Sequence, residues 1–167
     1  MKRRKGVTLL ELLIVLGIVT ILVALALPGY KRFMLTARTT EAKVNIGAII
    51  ICEDSYAADA DKYLTERYYP DGSPGTSARI WNPDNSGNFK EIGFQPSGRV
   101  YYSYGVAAGD QSSNPAGANP SHGEVAVTKN ADITVIAKGD LDGDGRLGYF
   151  CTTDLRYPKI KGSIGDI

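Results

Sequence analysis

The stretch VTLLELLIVLGIVTILVALAL, residues 7–27, decides most of what this chain is able to fold into. It runs for 21 residues with only three polar side chains, Thr8, Glu11 and Thr20. Wound as an α-helix it measures roughly 31 Å, close to the ~30 Å hydrocarbon core of a bilayer. Four basic residues precede it: Lys2, Arg3, Arg4 and Lys5. They are expected to stay on the cytoplasmic side, so that everything after Leu27 crosses. A secretory signal peptide has a shorter apolar region followed by a small-residue cleavage site, and LALPGY is a poor site of that type. The segment is therefore expected to remain as a membrane-spanning helix.

Glu11 is the anomaly. A carboxylate inside an apolar span costs about 2.5–3.5 kcal/mol on insertion scales. No Lys, Arg or His lies between Val7 and Leu27. The bland reading is a tolerated acid near the interface. Otherwise its partner is Lys5, a lipid headgroup, another chain or a newly made amine.

The stretch KGVTLLELLIVLGIVTILVALALP resembles the N-terminus of type IV pilins and pseudopilins. The resemblance implies a short basic leader, removed by a membrane prepilin peptidase between Gly6 and Val7, with the new Val7 amine then methylated. Glu11 falls on the family's acidic position and Pro28 on its helix-kinking proline. By this resemblance Glu11 of one subunit pairs with the Val7 amine of a neighbour. At about 4 Å and an effective dielectric of 20 such a pair is worth on the order of 4 kcal/mol before desolvation. Two positions depart from the family pattern. Val7 stands where phenylalanine is usual, and Thr20 stands where a glycine is frequent, with Gly17 one turn earlier.

Beyond Pro28 and Gly29 a helical pattern resumes. Tyr30, Phe33, Ala37, Val44, Ala48 and Ile51 follow a 3/4 spacing, with Thr40 and Gly47 completing the stripe. Lys31, Arg38, Asn45 and Glu53 fall largely on other faces. One helix from Val7 to around Ala58 is the economical reading, its second half offering one face to a sheet. Residues 59–98 are rich in Gly, Pro, Asn, Asp and Ser and read as a long, mostly irregular connection, pinned by Trp81 and Phe89. Strand candidates follow at Arg99–Ala107, Glu124–Val127, Asp132–Lys138 and Arg146–Thr153, with Gly109–Gly123 a loop by composition. GFQPSGRVYYSYGV and the later TVIAKGDLDGDG look like the longer type IVa major pilins. The expected fold is α+β: a long N-terminal helix on a small antiparallel sheet of three or four strands. The expected segments are a leader (1–6), a transmembrane or filament-core half-helix (7–28), an amphipathic half (29–58), a connection (59–98), and a sheet with C-terminal loop (99–167).

Cys52 and Cys151 are too far apart in sequence for a CxxC redox motif. A disulfide between them would tie helix to sheet, closing a loop worth about 4–5 kcal/mol in the entropic picture. The family's usual disulfide joins two cysteines near the C-terminus, so this pairing departs from it, and two separate thiols are the alternative. Asp140, Asp142 and Asp144 followed by Gly145 match the first half of an EF-hand loop, in which alternate carboxylates converge on Ca2+. Position 12 of that loop is Cys151 instead of glutamate, and Asp154 is the nearest later acid. A metal-free hairpin turn is the alternative.

The net charge is +1, but outside the first six residues 15 basic face 18 acidic residues, so no bulk attraction to nucleic acid is implied. Only Arg156–Lys161 approaches a basic cluster, and the single histidine, His122, reads as a loop residue. No catalytic constellation is visible, so no enzyme is expected. The resemblance implies a structural subunit, anchored in the inner membrane with its C-terminal domain periplasmic, then extracellular in a pilus. Its partners would be itself, the peptidase and an assembly platform, with adhesion, twitching motility or DNA uptake as roles. A type II secretion pseudopilin or a minor pilin is the alternative.

Overall fold

The structure, a computed structural model, describes residues 6–108, 133–153 and the backbone of 161–162. The leader before Gly6, the Gly109–Gly123 loop, the Glu124–Val127 strand candidate, His122, Asp154 and Arg156–Ile160 lie outside the described residues.

One helix, α1 (Leu9–Ala60, 52 residues), forms the spine, and at 1.5 Å per residue it is about 78 Å long. Thr8 starts it: an extended backbone (φ −80°, ψ 154°) places the hydroxyl to accept from the Glu11 N–H. Asp61 ends it in the left-handed region (φ 54°), its N–H returning to the Ala57 carbonyl at 2.9 Å. Pro28 removes one backbone donor, yet the helix runs through it.

The other elements are β1 (Glu66–Tyr69), a 3-10 turn (Pro83–Asn85), α2 (Asn88–Glu91), β2 (Ser103–Ala108), β3 (Ile133–Gly139), β4 (Gly148–Thr153) and the two-residue β5 (Lys161–Gly162). The strands form one antiparallel sheet in the order β1-β2-β3-β4-β5. In the register, Tyr104 pairs with Ala137 and Ala137 with Phe150. The result is the expected α+β fold, a long helix on a four-stranded antiparallel sheet with β5 as a short edge piece.

Side chains alternate across the strands. Tyr102, Tyr104, Val106, Ile133, Val135 and Ala137 face α1 and pack with Ala42, Ile46 and Ile49, and Phe150 lies against the same cluster. Ile136 and Cys151 point the other way and cluster with Tyr68. The sheet's closest approach is at Gly139, where an added Cβ would lie 2.5 Å from the Tyr102 ring. Only a residue without a side chain fits there.

Three sequence readings are corrected. First, the stripe Tyr30, Phe33, Val44 and Ile51 is exposed, on the side of α1 away from the sheet. The buried face is Thr39, Ala42, Asn45, Ile46, Ile49 and Glu53. Both faces carry apolar residues at helical spacing, and three polar side chains on the buried one, Thr39, Asn45 and Glu53, hid it. Second, the mostly irregular 59–98 connection also supplies three short elements that the sequence reading did not include, β1, the 3-10 turn and α2. β1 pairs with β2 through an irregular register between Glu66 and Tyr69. Third, β2 begins at Ser103 and β4 at Gly148, later than Arg99 and Arg146. Trp81 and Phe89 are buried as expected, Trp81 edge-on to Tyr69 (4.9 Å), Phe89 (5.4 Å) and Phe94 (5.4 Å) between ring centroids.

The two faces of α1 differ in a measurable way. Ile46 is fully buried and Val44 is 63% exposed. Truncating Ile46 to Ala is expected to lower unfolding free energy by about 2–5 kcal/mol. Val44→Ala is expected to change it by no more than about 0.5 kcal/mol. Urea unfolding of the full chain in detergent micelles, followed by tryptophan fluorescence, checks both.

Candidate assembly spine and acidic turn

Two regions of the molecule have a chemistry that the core does not absorb. The first is the N-terminal half of α1. Every large apolar side chain from Val7 to Leu27 is exposed. By length and composition it suffices to cross a membrane, with a mean hydropathy of 2.9 over its most apolar 18 residues, none of them buried. Thr8 Oγ1 accepts from the Glu11 N–H at 3.2 Å, and the Thr8 carbonyl accepts from Leu12 at 3.2 Å. Glu11 is thus the third residue of the helix, where a negative side chain also suits the helix dipole. Gly6 and Val7 lie outside the helix. Thr20 donates its hydroxyl to the Leu16 carbonyl at 2.7 Å, beside Gly17, whose missing side chain leaves open space. Glu11, Gly17, Thr20 and Pro28 are therefore spaced along one unburied rod.

The lower half of α1 is gripped by carboxylates that the sequence did not single out as important. Glu41 accepts from the Tyr101 N–H with both oxygens (3.0 Å each) and from the Tyr104 hydroxyl (2.8 Å). Asn45 donates to the same hydroxyl at 2.9 Å. Glu53 is 1% exposed and accepts from the Leu64 N–H at 3.0 Å, tying the helix to the chain that leaves it. Burial pushes both carboxyls above their usual range; the Tyr101 and Tyr104 hydrogen bonds oppose this at Glu41, and the Leu64 bond at Glu53. Arg79 donates to the Pro70 carbonyl at 2.9 Å and to the Ser103 hydroxyl at 2.7 Å, bracing the first turn after β1. A partial signal existed for Glu53, an acid among apolar neighbours on a helix. For Glu41 none existed, because its partners come from β2 and the residues just before it.

The second region is the turn between β3 and β4. Asp140, Asp142 and Asp144 each present a carboxylate oxygen within 4.8 Å of the others. Asp140 is 8% exposed and accepts from the Gly143 N–H (2.8 Å) and the Gly145 N–H (3.2 Å). Asp142 accepts from the Asp144 N–H at 3.1 Å, and Asp144 from the Arg146 N–H at 2.7 Å. The three acids read from sequence are thus brought together. Cys151 is not at this site: it lies in β4, on the sheet face with Tyr68 and Ile136. The same placement corrects the Cys52–Cys151 disulfide. Cys52 packs on the helix side of the sheet and Cys151 on the far side, and no bond joins them.

Comparison with known proteins bears on the first region. Residues 1–27 match the prokaryotic N-terminal methylation motif. The chain is 29% identical over 137 residues to the type IV major pilin protein PilA of Myxococcus xanthus, covering 82% of this chain and 47% of that protein. It is 38% identical over 71 residues to a type IV major pilin protein PilE1 of Neisseria gonorrhoeae, covering 42% of this chain and 30% of the other. Against a fimbrial protein of Neisseria meningitidis serogroup B the identity is 29% over 164 residues, covering 98% of this chain and 82% of the relative. The chain spans about half the length, or less, of the first of these relatives. No solved structure matches it. The apolar upper half of α1 has no cover among the described residues. Motif, relatives and fold together support a type IV pilin.

The raised carboxyls give a pH test with a definite sign. A group whose folded pKa lies above its unfolded value binds more protons in the native state between the two. Stability therefore falls as pH rises through that window. For Glu41 and Glu53 the window opens at about 4.5 and extends upward. The urea midpoint is expected to decline between pH 4.5 and 7. Glu53→Gln, which keeps an oxygen for the Leu64 N–H, is expected to flatten that decline without lowering the midpoint at pH 7.

Proposed function

We propose that this protein is a structural subunit of a bacterial type IV pilus, with no catalytic role of its own. The observation that carries the reading is the first part of α1, Leu9 to Leu27, apolar save for Glu11 and Thr20 and without cover from the other described residues. Before assembly the bilayer supplies that cover, the sheet domain lying on the periplasmic side. After assembly the same half-helices of neighbouring subunits supply it, in an extracellular filament. In this reading a prepilin peptidase cuts between Gly6 and Val7, and the Val7 amine is methylated. Glu11 pairs with that amine on an adjacent subunit, so that an acid penalised in lipid is relieved only in the correct register. An assembly platform extracts the processed subunits. Adhesion, twitching motility or DNA uptake would be properties of the finished filament.

Intact-mass spectrometry of filaments sheared from the producing cells tests this. The expected dominant chain begins at methylated Val7. A processed chain confined to the cell envelope would point to a secretion pseudopilin or a minor pilin, and a chain retaining Met1 would overturn the reading. A Glu11→Gln subunit is expected to be processed normally but to yield at least ten-fold less sheared filament.

The acidic turn is proposed to take Ca2+ as a structural brace. Asp140, Asp142 and Asp144 would supply carboxylate oxygens, a hard donor set suited to that ion. Calcium at 100 times its dissociation constant would add about 2.7 kcal/mol of stability. Thermal unfolding in millimolar CaCl2 against EDTA is expected to show a higher Tm with calcium, and Asp142→Asn to abolish the difference. Equal Tm values in the two buffers would leave the turn a metal-free hairpin.

A further inference from the structure

The proposed cut at Gly6–Val7 needs a peptide bond that an enzyme can reach. Hydrolysis adds water across it: Gly6 keeps the new carboxylate and Val7 leaves with a free amine. Inside an α-helix both groups of such a bond are pointed along the axis and drawn into i→i−4 hydrogen bonds. In this chain the apolar run begins at the bond itself, so nothing in its hydrophobicity stops the helix from growing backward through Val7 and into Gly6.

What stops it is visible at Thr8. In a regular helix the Glu11 N–H would bond to the Val7 carbonyl, four residues back. Here it bonds to Thr8 Oγ1 at 3.2 Å. Thr8 is extended (φ −80°, ψ 154°), and its carbonyl, accepting from Leu12 at 3.2 Å, is the first in the helical ladder. The hydroxyl has taken the place of the Val7 carbonyl. Gly6 and Val7 are left non-helical and exposed, with no atom within 4 Å of where a Gly6 side chain would sit.

We propose that Thr8 is a positioning residue for processing: by capping the Glu11 N–H it holds the Gly6–Val7 peptide outside the helix, in the extended form that a peptidase takes. The proposal rests on the reading that this bond is cut. In an apolar surrounding an unpaired N–H is strongly disfavoured. Without the hydroxyl, the nearest remedy is for residue 8 to turn helical, with Val7 as the new cap and its carbonyl serving Glu11. The next step would engage the Gly6 carbonyl with Leu10 and turn Val7 itself helical, taking the Gly6–Val7 peptide into the helix. Gly6 resists helix formation and limits how far the extension is populated. The effect is therefore a graded slowing and not a block.

The test uses the full-length chain in detergent micelles with membranes carrying a prepilin peptidase, at substrate concentrations below saturation. Thr8→Val keeps the shape and removes the acceptor, Thr8→Ala removes both, and Thr8→Ser keeps the acceptor. Serine is expected to be cut at the wild-type rate. Valine and alanine are expected to be slower by about two- to thirty-fold, the range that loss of an N-cap corresponds to. Backbone carbon-13 shifts of Val7 in the same micelles are expected to move toward helical values in the Val and Ala variants alone. Equal rates for all four chains would overturn the proposal while leaving processing intact. Slow cleavage of the Ser variant, or full-rate cleavage of the Val variant, would also overturn it by showing that the enzyme reads the side chain's shape. So would slow cleavage without a helical shift at Val7. A wild-type chain left uncut at Gly6–Val7 would remove the processing reading itself, and this proposal with it.

Discussion

The rest of the structure depends on one imbalance: α1 is more apolar than the other described residues bury. The core closes on Ala42, Ile46 and Ile49, all in the lower half of the helix, and no apolar side chain before Leu35 joins it. The upper half is left with its side chains bare and its backbone hydrogen bonds closed on themselves. That combination is stable in hydrocarbon and unfavourable in water. Helix ends are the weak points of such an arrangement, because the first N–H groups have no partner within the helix. The polar exceptions near the start of the apolar run, Thr8 and Glu11, fall in the first turn, where those groups are exposed.

Where the helix meets the sheet, the order of dependence reverses. The apolar contacts there are ordinary, and the specificity comes from polar groups trapped between them. Glu41, Asn45 and the Tyr104 hydroxyl form one connected set, and Glu53 holds the Leu64 N–H. Buried carboxylates of this kind contribute little net stability once their desolvation is counted. They do penalise any rotation or sliding of α1, since a shift of one residue would leave two acids and a tyrosine without partners. The rod therefore projects from the sheet at a fixed register, which a repeating assembly of such rods would require.

The long helix, its apolar upper half and the acidic turn were legible in the sequence because each depends on neighbours close in the chain. The turn's four hydrogen bonds all join residues two to five apart. The buried face of the lower helix was not legible. Two faces carry apolar residues at the same period, and the one with Asn45 and Glu53 looked solvated. Only the partners 59 and 11 residues away turn those polar side chains into core residues. Cys151 failed for a related reason. Strand parity decides which side of a sheet a residue faces, and the start of β4 at Gly148 is set by its pairing with Gly139. One-dimensional spacing carries no information about that pairing.

The misread stripe has a consequence of its own. Tyr30, Phe33, Val44 and Ile51 are exposed on the side of α1 turned away from the sheet, continuing the bare surface of the upper half. The spine is thus held by its domain on one side only. A contact made on the free side would not compete with the core for Ile46 or Ile49, nor disturb Glu41 and Glu53. An amphipathic helix with one apolar face must choose between its own domain and a neighbour. This one, with two, is able to satisfy both at once. Val44 and Ile51 are mostly exposed, so truncating them removes little buried apolar area from the isolated chain.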